Sequence, residues 1–176
     1  MVMKSLLIKS AIAFTVLSCS VQANDSFKLA IIEGTPAAGH ILKGDYQQSM
    51  TYLAKQQAKD RLEHNVAQRT LSVSDSFETA MSHCVVHIKV NQLEKAQFWC
   101  DKAVTLVESA PQYRTTVAKF KALALNNRAI VKYLQNDNLG AYQDFKQALS
   151  LHQSRMVKSN QWQFSELYMA SNLTSK

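Results

Sequence analysis

The sequence predicts an all-α fold of stacked antiparallel helical hairpins, about three of them followed by a C-terminal capping helix, and three observations predict it. Glycine and proline are scarce: among 176 residues only Gly34, Gly39, Gly44 and Gly140 occur, with Pro36 and Pro111. The stretches between them are rich in Ala, Leu, Gln, Lys and Glu, which lose little rotamer freedom in a helix. Apolar residues recur every three or four positions, the helical period, in "FETAMSHCVVHIKV" (Phe77, Met81, Cys84, Val85, Ile88), in "LEKAQFWCDKAVTLV" and in "VAKFKALALNNRAIVKYL". The pattern also repeats along the chain. Laying "LEKAQFWCDKAVTL" over "NLGAYQDFKQALSL" pairs Ala96 with Ala141, Cys100 with Phe145, Ala103 with Ala148 and Leu106 with Leu151, all 45 residues apart. "GDYQQSMTYL" joins the same register, with Gly44 on Asn91 and Ser49 on Ala96 at a separation of 47.

Residues 1–23 read as an export signal. Lys4 and Lys9 form a charged start, Ala11 to Cys19 is dominated by apolar residues, and Val21-Gln22-Ala23 is a small-residue cleavage pattern. The apolar run falls far short of the roughly 20 residues that cross a bilayer, so no stable membrane span is expected. A rival reading is a lipoprotein anchored at Cys19, because "VLSC" resembles a lipobox, although Leu17 fits its place poorly. The first reading gives a periplasmic protein that starts at Asn24.

Residues 24–176 are then one helical domain, long enough to bury about two thirds of the unfolded surface without a metal or cofactor. Removing Lys4 and Lys9 from the 20 cations leaves 18 against 13 anions, a net +5 with no block of like charge. In an exported protein this argues against nucleic acid as a partner. The three hairpins are expected at about 36–68, 76–109 and 114–153, with the cap at about 158–172, where Trp162, Leu167 and Tyr168 would cover the last apolar face.

Small side chains recur for a geometric reason. Helices joined by a short turn have axes about 8 to 10 Å apart, and their closest approach admits Ala, Gly, Ser or Cys but not Leu. Ala96, Ala103, Ala129, Ala141 and Ala148 are the expected packing positions, with Phe145 filling the gap toward the next hairpin.

These residues carry a resemblance. "NNRAIVKYLQNDNLGAYQDFKQAL" resembles a tetratricopeptide repeat, with Ala129 small in the first helix, Tyr133 near its end, Asp137 in the turn, then Ala141, Phe145 and Ala148. "CVVHIKVNQLEKAQFWCDKAV" resembles a second copy and "ILKGDYQQSMTYL" a first, with Ser49 where Ala is usual. The family's period is about 34 residues. The longer spacing here requires extra residues around Ala58 to Asp75 and Ser109 to Thr116.

The resemblance implies a concave face, built by the first helix of each hairpin, that holds an extended peptide or a partner's helix. The residues it points to are Asn127, Lys132 and Tyr133 of the third copy and Lys89 of the second; Tyr133 equally suits packing. Such a scaffold needs no cofactor and is not an enzyme. Its protein partner is not identified, and self-association through an uncapped repeat stays open.

Cys84 lies eight residues before Gln92 in the turn and Cys100 eight after it, so both sit at the same depth in one hairpin, within disulfide reach if they face inward. Oxidising export favours that bond over a pair of buried thiols. His83 and His87, four apart on one helix, suggest an alternative: a small periplasmic metal-binding protein or enzyme using the Cys84 and Cys100 region. Two ligands make a poor metal site, however, so partly packed or groove-facing histidines are the plainer reading and no metal is expected. His40, His64 and His152 stand alone. "GTPAAGH" from Gly34 lacks the Lys and Ser or Thr of a phosphate loop, no G-x-S-x-G elbow or HExxH occurs, and Asn172-Leu173-Thr174 is a chance glycosylation match.

Overall fold

Helix signals in the sequence become seven helices among the described residues. The computed structural model describes residues 26–33, 35–64, 76–109 and 116–173. The expected export signal, Cys19 and most of the expected repeat extensions lie outside the described residues. Within them the elements are α1 (Pro36–Leu42), α2 (Tyr46–His64), α3 (Phe77–Lys89), α4 (Leu93–Ser109), α5 (Val117–Leu134), α6 (Asn138–Leu151) and α7 (Arg155–Leu173), with no strand.

Helix starts are set by side chains that satisfy free backbone N–H groups. Thr35 accepts from the Ala38 amide at 3.1 Å, Ser76 from Thr79 at 3.2 Å and Asp137 from Gly140 at 2.9 Å. At Gly140 a Cβ would stand 2.1 Å from the Asp137 carboxylate, so a larger residue there would make the capping side chain shift.

Three tight turns join α1 to α2, α3 to α4 and α5 to α6. Each pivots on one left-handed residue: Gly44 (φ 80°), Asn91 (φ 57°) and Asn136 (φ 65°). In each, the following residue donates back to the third-last helical carbonyl: Asp45 to His40 (2.9 Å), Gln92 to His87 (2.8 Å) and Asp137 to Lys132 (2.8 Å). This is the double-bonded helix stop that glycine, and next asparagine, accommodates best. The turn residues are 47 and 45 positions apart, the separations read from the side-chain pattern.

Consecutive helices pack pairwise, and α1 also meets α3, α3 meets α5 and α5 meets α7. The small positions are closed: Ala37, Ser49, Cys84, Ala96, Ala103, Ala129, Ala141 and Ala148 have no exposed surface. Ser49 earns its exception by donating to the Ala37 carbonyl at 3.1 Å, across the first hairpin. One pair of register positions carries Ala37 and Leu53 in the first copy, Cys84 and Cys100 in the second, Ala129 and Phe145 in the third. Each pair lies within a single core cluster. The second pair is a disulfide with its Cα atoms 4.9 Å apart.

α7 begins earlier than expected and presents a different face. Trp162 (68% exposed) and Tyr168 (40%) point outward, and Leu167 is half-buried; Val157, Asn160 and Phe164 are the buried residues. Spacings of three and four from Val157 define that face. Trp162 and Tyr168 therefore do not cover the last apolar face; Val157 and Phe164 do.

Candidate functional site

Residues 27–33, which carry no helix or strand, form a segment that crosses α7, α5 and α3. It is held by three buried asparagines, Asn126 and Asn127 of α5 and Asn160 of α7, all with no exposed surface. Asn160 accepts from the Lys28 amide at 2.9 Å and returns a bond to the Lys28 carbonyl at 2.7 Å. Asn127 does the same for Ala30, with both bonds at 2.8 Å. Asn126 adds a bond to the Lys28 carbonyl at 3.2 Å and accepts from Asn160 at 2.8 Å, tying the clamp together. Alternate residues of the segment are therefore gripped by main-chain N–H and C=O alike, as a neighbouring strand would grip them.

Side chains fill the space around this clamp. Phe27 packs edge-on to Tyr133 (ring centroids 5.4 Å) and over Phe145 (6.4 Å), while Phe164 of α7 stands 5.7 Å from Tyr133. Leu29 touches all three core clusters and Ile31 the one holding Val85 and Val86 of α3. Beyond it, Thr35 meets Ser82 of α3 at 3.2 Å. The segment thus runs from α7 over α5 to α3, against the order of the hairpins.

Of the residues singled out from sequence, Asn127 and Tyr133 line this groove and both hold the chain's own segment. Burial raises the Tyr133 hydroxyl above the usual tyrosine range. Lys132 is instead committed to Asp144 at 2.9 Å. Lys89 ends α3, half-buried and engaged in an interaction of its own. Asn126 and Asn160 were missed. The signal available was two consecutive poor helix formers in the middle of α5, where the apolar face should continue.

Two polar clusters flank the hairpin interfaces. Arg128 of α5 forms a two-bond pair with the buried Asp144 of α6 (2.7 and 2.8 Å) and a third bond to Asp101 of α4 (3.0 Å). Burial opposes the Arg128 charge, but its bonds to Asp144 and Asp101 outweigh this and raise its pKa. In the preceding interface, His83 lies flat on Trp99 with ring centroids 3.9 Å apart, and His87 stacks 5.9 Å from His83. Burial first, then His87 and Lys102, pushes the His83 imidazole down to about 3; burial and Lys95 lower His87 too, partly offset by Gln92. Both imidazoles are neutral at pH 7. Cys84 and Cys100, bonded to each other, offer no thiolate to a metal or substrate beside them.

No group of three or more His, Cys, Asp or Glu among the described residues is placed to hold a metal ion, and no described helix is long and apolar enough to cross a membrane. Comparison with protein-family models, curated proteins and solved structures finds no match.

Proposed function

We propose that this chain is a non-enzymatic scaffold or adaptor of the bacterial cell envelope, with a tetratricopeptide-like stack of hairpins whose concave groove receives an extended segment of a partner protein. The observation that carries this reading is the asparagine clamp. It engages main-chain atoms alone at Lys28 and Ala30, so it holds an extended chain of any sequence that avoids proline at those two places. The cis segment then acts as a resident occupant of a groove built for such chains. An empty groove would strip the three asparagines of their bonds to Lys28 and Ala30, at about 1 to 3 kcal/mol for each group left unsatisfied, so a partner replaces the segment rather than waiting for it to leave. Export to the periplasm is supported by the signal-like residues 1–23 and by a disulfide, a bond rare in reducing compartments.

Competition tests it. Lys28→Pro in the full chain deletes the N–H that Asn160 accepts while leaving the groove walls unchanged. A labelled peptide copying residues 24–33 should bind this variant saturably, and about tenfold more weakly once Asn127→Ala is added, the effect of losing roughly 1.4 kcal/mol. A folded Lys28→Pro protein that ignores the peptide, or one that binds it equally well without Asn127, would overturn the proposal.

A further inference from the structure

The repeat register sets two interfaces side by side and shows them to be unequal. Between α4 and the α5–α6 hairpin, Gln97, Asp101, Arg128, Lys132 and Asp144 form one bonded network. Shifted by the repeat separation, 47 residues from α4 to α2 and 45 otherwise, these positions become Met50, Ala54, His83, His87 and Trp99. All five line a single cavity of about 250 Å³ between α2 and the α3–α4 hairpin, completed by Gln57 and Lys95.

The interface at α2 lacks both acids of its neighbour. Arg128 and Lys132 become two imidazoles, but the carboxylates of Asp101 and Asp144 become Ala54 and Trp99. The lining therefore carries two imidazoles and an ammonium and no acid. α2 contributes only Met50, Ala54 and Gln57 to it; Asp60, three residues beyond Gln57, is outside the lining and has an interaction of its own. From α4, Lys102 adds a further cation, 5.0 Å over the Trp99 ring. His83 and His87 are 4% and 7% exposed, and each leaves Nδ1 without a hydrogen-bond partner. Buried polar atoms without partners are rare in native structures, so two of them on neighbouring, stacked rings that line one cavity point to a ligand.

We propose that this cavity binds a small organic carboxylate, whose charge replaces the two acids that the register lost. Its carboxylate pairs with Lys95 and with an imidazole that takes up a proton as it binds. A short hydrocarbon body suits Met50, Ala54 and Trp99, and the volume equals about eight waters at roughly 30 Å³ each, enough for a four-carbon acid. Because binding takes up a proton while the ligand, with a pKa near that of other carboxylic acids at about 4 to 5, stays ionised, affinity rises as pH falls toward 5.5.

Butyrate is the probe, added to full-chain Trp162→Phe protein so that Trp99 is the remaining tryptophan, since Trp162 is exposed and outside the cavity. The expected result is a saturable change in Trp99 fluorescence and in the His83 and His87 ring resonances, about tenfold tighter at pH 5.5 than at pH 7.5. Ala54→Asp, which restores the acid of the neighbouring interface, should abolish binding without lowering the melting temperature. Lys95→Met should weaken it about tenfold, and this arm stands if Ala54→Asp fails to fold. Equal responses to butyrate and to uncharged butanamide, or no response at either histidine, would overturn the proposal. None of these readouts involves the groove, so the scaffold reading stands or falls separately.

Discussion

At one register position the chain places Arg128 in the third copy and His83 in the second, and neighbouring residues decide what each can be. Arg128 meets two carboxylates and keeps its charge, whereas His83 is buried against an indole, a second imidazole and Lys102 and stays neutral. The linkage follows from the direction of that shift. Unfolded His83 takes up a proton near pH 6.5, and folded His83 does so only near 3, so its contribution is intact above pH 6.5 and is lost as pH falls below it. Denaturant titrations should show stability dropping by up to about 1.4 kcal/mol per pH unit between pH 6.5 and 5, and His83→Gln should flatten the slope. The ion-pair network sorts by burial. Asp144 has 5% of its side chain exposed and Asp101 50%, so truncating the first strands Arg128 and Lys132, and truncating the second removes a solvated partner. Asp144→Ala should cost about 3 kcal/mol and Asp101→Ala under about 1, measured by chemical denaturation.

The helices and turns were legible because local chemistry and the global register agree. Gly44, Asn91 and Asn136 are the residues that tolerate a left-handed stop, and Ala96 and Ala141 are the ones that let two helices meet. Replacing Ala141 with Leu should therefore cost at least about 1 to 3 kcal/mol in thermal unfolding, since the site has no exposed surface into which the extra carbons can turn. Reading failed where the burial of an element depends on distant residues. Side-chain type alone placed Trp162 and Tyr168 against the core, but the face of α7 is fixed by Asn160 bonding to Lys28, 132 residues away in sequence. The same blindness hid most of the groove. Asn126 and Asn127 look like poor helix formers until the chain that they hold is in place, and nothing in residues 27–31 marks them as that chain. The disulfide could be read because its evidence is local: two cysteines at equal distance from one turn.

Across the whole molecule, the segment at residues 27–31 is the part that links elements far apart in the chain. Its contacts reach α7, α5 and α3, and its aromatic end closes a cluster that already contains Tyr133, Phe145 and Phe164. Its effect on stability decides how it is used. Phe27 is 4% exposed, so Phe27→Ala removes a buried ring and leaves a hole lined by rigid aromatics that cannot collapse into it. If the segment is seated nearly all the time, the loss should approach about 3 to 5 kcal/mol, the usual range for a core phenylalanine. If it leaves the groove readily, unfolding begins from a state in which Phe27 is already solvated, and the loss shrinks toward zero. Those outcomes are far enough apart for a denaturant midpoint to separate them. We expect a loss of about 3 kcal/mol, because the bonds at Lys28 and Ala30 hold the backbone on either side of Leu29 and keep Phe27 docked. Hydrogen exchange at the Ala30 amide supplies the matching rate: protection close to that of the α5 core is expected in the wild type and should fall sharply in Phe27→Ala.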